Sequence, residues 1–188
     1  MRHARHPAPQ RHAAKDHLAK DHVFKTVSSP VGKLTLVASV DGLVAILWEN
    51  EDDPARVGLD IGTENRRHPT LVKTERQLAE YFAGGRTAFD LPLAFSGTKF
   101  QQRVWRTLLT IPFGKTRTYA QIARQIGRPK AVRAVGAANG KNPISIVAPC
   151  HRVIGSNGKL TGFAGGLDAK AYLLRLEGAR GAAIDQAA

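Results

Sequence analysis

Hydrophobic and polar positions alternate through much of the first half of the chain, as they do in half-buried β-strands. The alternation starts at Val23, and an Asp41-Gly42 pair separates the apolar runs 34–40 and 43–48. An Asp-Gly pair between two such runs is typical of a two-residue hairpin turn. The pattern therefore predicts at least two antiparallel strands at the start of the fold.

A helix is predicted to follow these strands. Leu78 and Tyr81 have helical spacing within residues 72–82, and a glycine pair after this segment is a stop signal. Residues 92–97 then have the composition of a connector. The first half is therefore expected to form a small α/β unit.

The second half has the spacing of three helices. Apolar residues recur at helical intervals along the amphipathic segment 98–110, with arginines on its other face. A second short helix is predicted over 119–126, with Gly127 at its end. A third is predicted from Pro129 to about Gly140. Two short helices around a glycine turn are typical of a helix-turn-helix.

The third helix is unusual for DNA recognition. Reading base edges in the major groove needs several long polar side chains, whereas this helix presents mostly alanine and glycine, with Arg133 as its one long probe. A smooth face would let the backbone approach DNA closely, which suits shape-guided, largely non-specific docking with the minor groove as a candidate. The alternative is a helix packed against a neighbour through its alanines. Spacing leaves the two about even, and the local density of basic residues favours DNA.

Composition restricts the function classes. Of the 188 residues, 43% are hydrophobic and 23% are charged, as in globular domains rather than disordered or fibrous chains. No apolar run approaches the roughly 20 residues of a membrane span. The N-terminus carries charges and histidines where a signal peptide has an apolar stretch. We therefore expect a cytoplasmic protein with no membrane partner.

The positive charge is concentrated in one half of the chain. Residues 1–96 hold 13 Lys/Arg and 12 Asp/Glu, a net charge of +1, whereas residues 97–188 hold 15 Lys/Arg and 3 Asp/Glu, a net charge of +12. A generally basic proteome would raise the net charge without segregating it. The segregation favours a polyanionic partner, nucleic acid before a membrane.

Cys150 is the candidate nucleophile. A single cysteine can form neither an internal disulfide nor a multi-cysteine zinc site, which fits a reducing cytosol. A lone cysteine is most often a small buried hydrophobe. Here a β-type apolar run, 144–148, leads to it, Pro149 fixes the preceding backbone, and His151 is adjacent. Cationic surroundings would favour the thiolate over the thiol.

His151 is the candidate base. Adjacent side chains of an extended segment point to opposite faces, so a turn or a bridging water has to link His151 to Cys150. The acidic residues available to orient it in this half are Asp168, Glu177 and Asp185. Glu177 is favoured, because it lies at the end of a predicted helix, a regular element able to hold it in place.

A longer set of motifs around the cysteine carries a family resemblance. The string Pro-Cys-His-Arg-Val at 149–153, after Gly-Lys-Asn-Pro at 140–143, resembles the active site of the O6-alkylguanine-DNA alkyltransferases, or methylated-DNA–protein-cysteine methyltransferases. The resemblance covers roughly residues 100–178, including the helix-turn-helix, the Arg133 segment, 162–167 and 173–178. Such an ordered set is highly specific. The N-terminal half matches only in general character, and residues 1–22 match nothing.

The resemblance implies DNA repair by direct, irreversible transfer of an alkyl group. The substrate would be O6-alkylguanine in double-stranded DNA, and O4-alkylthymine would be a second substrate. The damaged base would flip out of the duplex, and Cys150 would accept one alkyl group per molecule. By the same resemblance, His151 accepts the thiol proton through a water, Glu177 orients His151, and Asn142 braces the active-site turn. No cofactor and no metal are implied, and we expect a monomer.

The resemblance also assigns contacts to DNA and to the damaged base. Arg133 matches the family's arginine finger, which fills the vacated stack, and Tyr119 matches the tyrosine that rotates the 3′ phosphate and hydrogen-bonds the base. The remaining expected DNA contacts are Lys130, Ala134, Ala137 and Arg152. The expected base pocket is lined by Tyr119, Val153, Ser156, Phe163, Ala164 and Gly165.

Backbone groups are expected to read the guanine. The family often has Tyr-Ser where this chain has Phe163-Ala164, so side-chain hydroxyls are missing there. The backbone N–H of Ala164 would still reach the guanine oxygen. The carbonyls of Cys150 and Val153 would accept from the guanine amino group.

The expected fold class is α/β, with a small N-terminal antiparallel-sheet domain of ribonuclease-H-like type before a mostly helical, winged helix-turn-helix-like DNA-binding domain. The expected segments are a flexible basic, His-rich tail at 1–22, the N-terminal α/β domain at 23–92, a linker at 93–97, the alkyltransferase/DNA-binding domain at 98–180 and a flexible C-terminus at 181–188.

Other classes of protein compete with this interpretation. A lesion sensor related to the alkyltransferases would flip bases without repairing them, but such proteins lack the reactive cysteine. A basic helix-turn-helix regulator with an incidental cysteine would need a recognition helix richer in polar side chains. A Cys-His hydrolase is weaker still, because nothing in the sequence suggests an oxyanion hole.

Overall fold

The computed structural model of the chain describes residues 22–49, 57–181 and 184. The flexible tails predicted for 1–22 and 181–188 therefore lie outside the described residues, apart from the three residues 22, 181 and 184.

A four-stranded sheet forms the N-terminal part, with the strands in the order β3-β2-β1-β4. Its strands are β1 (Val23–Ser29), β2 (Gly32–Ser39), β3 (Gly42–Trp48) and β4 (Thr63–Glu64). The first three pair antiparallel, and β4 adds a short parallel pair to β1. The predicted hairpin is present, but Ser39 pairs with Gly42, so its two turn residues are Val40 and Asp41 rather than Asp41 and Gly42.

One helix, α1 (Pro69–Phe82), packs against this sheet. It begins three residues earlier than predicted, because Pro69 at its first position pre-sets the helical φ angle. Leu71, Leu78 and Tyr81 join the buried apolar residues of β2 and β3 in one hydrophobic core. No helix among the described residues is long and apolar enough to cross a membrane.

The connector after α1 runs beside β3 instead of leaving the sheet. The Leu43 N–H donates to the Pro92 carbonyl, and the Ala94 N–H donates to the Leu43 carbonyl, both at 2.8 Å. Further along the same strand, the Ile46 N–H donates to the Pro143 carbonyl at 2.9 Å. Strand β3 therefore joins the sheet to the segment that precedes Cys150.

The C-terminal part consists of short helices around a second core. They are α2 (Lys99–Leu108), α3 (Tyr119–Gln125), α4 (Val132–Gly140) and α5 (Gly166–Leu176), with a parallel pair of two-residue strands, β5 (Arg117–Thr118) and β6 (Val153–Ile154). Capping boxes fix the starts of α2 and α3: the side chains of Thr98 and Thr118 accept from the backbone of the third helical residue, whose glutamine side chain accepts in return.

The third predicted helix begins later than its proline suggests. Residues 129–130 form a turn, the Ala131 N–H donates to the Arg128 carbonyl at 2.8 Å, and α4 begins only at Val132. Helix α4 packs on α2 and α3, and the Trp105 indole N–H donates to the Ala138 carbonyl at 2.8 Å. The predicted helix-turn-helix arrangement is thus formed by α3 and α4 with α2 beneath them.

Candidate active site

A tight turn, rather than a strand, carries the chain to Cys150. The prediction of a β-type run at 144–148 was wrong, since only Ile144 makes a bridge, with Ile46 of β3. The cause is Asn142, whose side-chain amide donates to the Ala148 carbonyl at 2.8 Å and whose Oδ1 accepts from the Ile144 N–H at 3.1 Å. These bonds replace the partners that a strand would find in a sheet.

The same turn holds one residue in a strained conformation. Ile146 has a φ of 70° and is the only non-glycine residue with positive φ in the described part of the chain. A β-branched residue in this left-handed region costs roughly 1–3 kcal/mol, and it persists only where the surroundings enforce it. Its side chain is buried in the core that the turn shares with the sheet.

Cys150 opens a single 3-10 turn, Cys150–Arg152, and is 3% exposed. This turn replaces the extended backbone that placed Cys150 and His151 on opposite faces. Burial raises the pKa of the Cys150 thiol, while the Asn142 side chain, the Lys170 ammonium and the Ser145 hydroxyl act in the opposite direction. Burial therefore outweighs the cationic surroundings that the sequence analysis expected to favour the thiolate.

His151 is fully buried and paired with Glu177. Its Nε2 lies 2.7 Å from the Glu177 Oε1. Because that carboxylate accepts, Nε2 carries the proton and Nδ1 keeps its lone pair. Nδ1 is buried and has no hydrogen-bond partner among the described residues. Burial lowers the pKa of His151 more than Glu177 raises it, so a neutral imidazole is favoured.

Glu177 follows the last residue of α5 and is 5% exposed. Of the three acidic candidates, it is the one that the structure brings to His151: Asp168 is exposed, and Asp185 lies outside the described residues. Burial raises the pKa of the carboxyl, but hydrogen bonds and charge interactions with His151 and Arg152 outweigh it and bring the pKa to about 2.

Arg152 is part of this interior network. Only 7% of the residue is exposed, its Nε and Nη2 donate to Glu177 at 2.8 and 3.0 Å, and its Nη1 donates to the Ile111 carbonyl at 2.5 Å. The prediction that Arg152 contacts DNA was therefore wrong. Its positive charge is visible in the sequence, but it compensates the buried carboxylate of Glu177.

The residues expected to line the base pocket lie on both sides of Cys150. The Phe163 ring meets the Trp48 ring edge-on, with 5.2 Å between the ring centroids, and the His151 ring with 6.3 Å between the centroids. Tyr119 is partly buried and its hydroxyl accepts from Thr161 at 3.2 Å. The other four occupy different surroundings: Val153 is buried, Ala164 and Gly165 are partly buried, and Ser156 lies in an exposed turn.

Gly165 lies in the loop 155–165 before α5, called the pocket loop below, and shows how closely this loop meets the sheet. A Cβ at this position would lie 2.4 Å from the Trp48 ring. No larger residue fits there without moving the indole or the loop.

Lys170 is a buried residue that the sequence analysis did not single out. It is fully buried, and its ammonium donates to the Val153 carbonyl at 2.6 Å and to the Thr161 carbonyl at 2.7 Å. Burial lowers its pKa to about 8, so the ammonium remains charged at neutral pH. Lys170 therefore ties the loop before α5 to the strand after Cys150. Only its amphipathic position in α5 could have been noticed, and position does not show burial.

The α4 surface has the smooth character expected from its sequence. Arg133, Ala134 and Ala137 are exposed, as is Lys130 in the preceding turn, whereas Val135 and Ala138 are buried. The helix therefore packs inward through one set of residues and presents the others to solvent. Among the described residues, no group of His, Cys, Asp and Glu side chains is arranged as a metal site.

Replacing Glu177 with glutamine should remove an acid-sensitive part of the stability. The folded pKa of about 2 lies below the ordinary value of 4.5. The stabilisation is therefore complete above pH 4.5 and is lost as the pH falls towards 2. In urea denaturation, the free energy of unfolding of the unaltered chain should fall by about 1 kcal/mol more than that of Glu177→Gln between pH 4 and pH 3.

The control for this measurement is Asp168→Asn, which removes an exposed carboxylate from α5, the helix that Glu177 follows. This variant should keep the pH slope of the unaltered chain. Identical slopes for the unaltered chain and Glu177→Gln would contradict the depressed pKa.

Two family models match the chain. The DNA-binding domain of 6-O-methylguanine DNA methyltransferase matches residues 99–179, and the ribonuclease-like domain of 6-O-methylguanine DNA methyltransferase matches residues 23–95. Both parts of the expected fold class are thereby confirmed.

Two of the relatives are named methylated-DNA–protein-cysteine methyltransferases. A methylated-DNA–protein-cysteine methyltransferase from Mycolicibacterium paratuberculosis is 52% identical over 155 residues, which are 82% of this chain and 91% of that protein. The constitutive one from Bacillus subtilis is 45% identical over 155 residues, 82% of this chain and 94% of that protein.

A solved structure agrees with them. The crystal structure of Mycobacterium tuberculosis OGT in complex with DNA is 48% identical, covers 82% of this chain and 92% of its own, and superposes with a TM-score of 0.74. The family resemblance seen in residues 100–178 is confirmed, the second family model extends the match to the N-terminal half, and the chain belongs to the 6-O-methylguanine DNA methyltransferase family.

Proposed function

We propose that this chain repairs O6-alkylguanine in double-stranded DNA by moving the alkyl group irreversibly to Cys150. O4-alkylthymine is proposed as a second substrate. The observation that carries the proposal is a lone cysteine next to a buried histidine–carboxylate pair, in a domain that matches a DNA-binding methyltransferase family. The DNA complex of the Mycobacterium tuberculosis relative supports DNA as the partner.

His151 acts as the base that activates the thiol. Glu177 holds the Nε2–H, which leaves Nδ1 to take the proton of Cys150 through a water. A base is needed because burial raises the pKa of the thiol. Asn142 fixes the shape of the turn, because its side chain bonds the backbone of Ile144 before Ile146 and of Ala148 after it.

The transfer step is a substitution at the alkyl carbon. The thiolate forms the S–C bond while the C–O6 bond breaks, and the electron pair of the C–O6 bond passes to the guanine. The guanine gains one proton, which balances the proton that Cys150 gives to His151. The product is a thioether, which neither water nor histidine cleaves readily. The chain has no second cysteine to accept the group, so each molecule acts once.

The base reaches Cys150 by flipping out of the duplex. Flipping costs a few kcal/mol, less for a lesion that pairs badly. Helix α4 offers an exposed face of small residues for close approach, and Arg133 on that face is free to fill the vacated stack. Tyr119, at the start of α3 and beside Gly136, is the residue to which the proposal gives the turning of the phosphate and the hydrogen bond to the base.

The remaining parts of the proposal concern the setting. We expect the protein to act as a monomer on DNA in the cytoplasm, without a cofactor. Lys130, Ala134 and Ala137 supply further DNA contacts, and Val153, Ser156, Phe163, Ala164 and Gly165 line the base pocket. A lesion sensor without chemistry is disfavoured by Cys150, and a sequence-reading regulator by the small exposed residues of α4.

The first test is stoichiometry. Titration of a fixed amount of protein with an O6-methylguanine duplex should plateau at one methyl group per chain, on the Cys150 peptide, as measured by intact mass and peptide mapping. The methylated protein should melt at a lower temperature, because extra volume enters a packed site. Cys150→Ser should bind the duplex within about twofold of the unaltered chain, since phosphate contacts supply most of the affinity, and should transfer nothing.

Two results would contradict this assignment. Turnover beyond one equivalent would exclude an irreversible acceptor. Transfer by Cys150→Ser at a rate near that of the unaltered chain would exclude Cys150.

Arg133→Ala tests the flipping role. The variant should repair duplex substrate about tenfold more slowly, a loss of about 1.4 kcal/mol in the transition state, and should lose less in affinity than in rate. Single-turnover transfer and filter binding measure the two quantities. Arg76→Ala, which removes an exposed arginine from α1, is the matched control and should change neither. Repair by Arg133→Ala at the unaltered rate would rule out the finger role.

His151→Ala tests the base through the pH profile of transfer. In the unaltered chain the pKa of His151 is lowered by burial, so the imidazole is neutral at pH 7 and the rate should fall only below pH 6.5. Without this base the buried thiol has to ionise unaided, and burial raises its pKa, so the rate should be low at pH 7 and still be rising at the alkaline end of the profile. His68→Ala, in the N-terminal part, should keep the unaltered profile. An unchanged profile in His151→Ala would remove the histidine from the mechanism.

A further inference from the structure

We propose that Tyr81 is a positioning residue for alkyl transfer, whose hydroxyl fixes the Glu177 carboxylate in the orientation that aligns His151. Tyr81 lies in α1, in the N-terminal part of the chain and 96 residues from Glu177. The inference rests on the proposed roles of His151 and Glu177. It gives the N-terminal domain a part in the chemistry.

The contact is short, buried and made to the same oxygen that holds His151. The Tyr81 hydroxyl donates to the Glu177 Oε1 at 2.7 Å, and His151 Nε2 lies 2.7 Å from that oxygen. Tyr81 is 1% exposed. A hydrogen bond to a buried carboxylate is charge-assisted, roughly twice as strong as a neutral one.

The direction of this bond is settled by the two groups. Burial, followed by the charge of Glu177, raises the pKa of Tyr81, so the phenol stays protonated. The low pKa of Glu177 keeps that group ionised. A phenol beside a carboxylate can then only donate.

Packing fixes the orientation of the Tyr81 ring and so keeps its hydroxyl directed at Glu177. Three aromatic rings surround it, those of Phe82 and Phe89 with centroids at 5.4 Å and that of Phe113 at 6.2 Å. A ring packed in this way cannot swing the hydroxyl away from Glu177 without disturbing the core. Tyr81 is therefore a fixed reference point for the carboxylate.

The carboxylate accepts five hydrogen bonds, and Tyr81 determines how Oε1 is shared. Oε1 accepts from Tyr81, His151 and Arg152, and Oε2 accepts from Arg152 and from the Gly114 N–H at 3.3 Å. Removing the tyrosine donor would leave more of the negative charge of Oε1 to His151. That charge stabilises the imidazolium, so the pKa of His151 should rise.

A higher pKa of His151 has a definite kinetic sign. The base has to be neutral to accept the thiol proton, so the acid limb of the rate profile should move to higher pH. Besides Tyr81, the charged groups that interact with His151 and Glu177 are those of Arg152 and Lys170, and Tyr172 interacts with Tyr81 alone. Arg152, Lys170 and Tyr172 are all unchanged in a Tyr81→Phe variant.

The experiment compares two tyrosine-to-phenylalanine variants of the full chain. Tyr81→Phe keeps the packed ring and removes the donor; Tyr172→Phe, from α5, makes the same chemical change at a partly buried ring near Phe82. Single-turnover transfer to an O6-methylguanine duplex is measured from pH 5.5 to 9, with duplex affinity and urea stability. Tyr81→Phe should be about three- to tenfold slower than the unaltered chain on the acid limb of the profile and much closer to it at pH 8. Tyr172→Phe should keep the original profile.

A merely structural tyrosine would behave differently. Its loss would slow transfer equally at every pH, and that result in Tyr81→Phe would overturn the proposal, whatever the change in stability that loss of the buried hydrogen bond brings. In a Glu177→Gln background, Tyr81→Phe should cause no further shift of the acid limb. An additional shift of the usual size there would also overturn it.

A measurement on the unaltered chain removes dependence on how the variant folds. The Tyr81 hydroxyl proton should appear in NMR spectra as a slowly exchanging, downfield signal with a contact to the His151 Nε2 proton, and its absence would contradict the proposal. A His151→Ala profile like that of the unaltered chain would overturn the proposed function itself. A shifted His151→Ala profile beside an unshifted Tyr81→Phe profile would overturn only the role of Tyr81.

Discussion

The buried negative charge of Glu177 is the interaction on which the rest of this structure depends. An ionised carboxylate in the interior is tolerated only when it is paired and its oxygens are hydrogen-bonded. Here the donors come from α1, from the loop at Gly114 and from the 3-10 turn after Cys150. Each donor has to be in place for the charge to be stable, so the arrangement of these segments around the cysteine is fixed by one residue.

The two family domains act as a single support for the cysteine turn. Strand β3 bonds the connector through Leu43 and the residue after Asn142 through Ile46, so the turn is attached to the sheet. Trp48, at the end of the same strand, meets Gly165 and Phe163 in the pocket loop. The N-terminal sheet thus contacts both the turn before Cys150 and the loop before α5, and the strained Ile146 shows how firmly that turn is held.

Local features of the fold could be predicted from the sequence, and contacts between distant segments could not. The helix over 98–110 follows from apolar periodicity, and its start is fixed by a threonine and a glutamine within four residues of each other. Glu177 could be chosen because few acidic residues compete with it. The run before Cys150 was misread because its composition is that of a strand, while the asparagine that bends it acts through a side chain.

Burial of charge was the other limit. Arg152 and Lys170 have the same sequence signal as an exposed basic residue, and only the packed fold shows that one neutralises Glu177 and the other ties two backbone segments together. The helical spacing of Tyr81 is visible in the sequence, but its hydrogen bond to Glu177 has no local signal, because the two residues are 96 positions apart. Residues whose role depends on a distant partner are the part of the site that periodicity and motifs do not reach.

In the proposed function, the exposed face of α4 affects how quickly damage can be found in a long DNA molecule. Ala134 and Ala137 carry no groups that distinguish one base pair from another, so undamaged stretches of duplex are nearly equivalent to the protein. Binding that depends mainly on counterion release permits sliding and hopping along the strand. The dwell time at any undamaged site is then short, and the search is limited by the length scanned in each encounter. A helix that read sequence would hold the protein at favoured sites and lengthen that search.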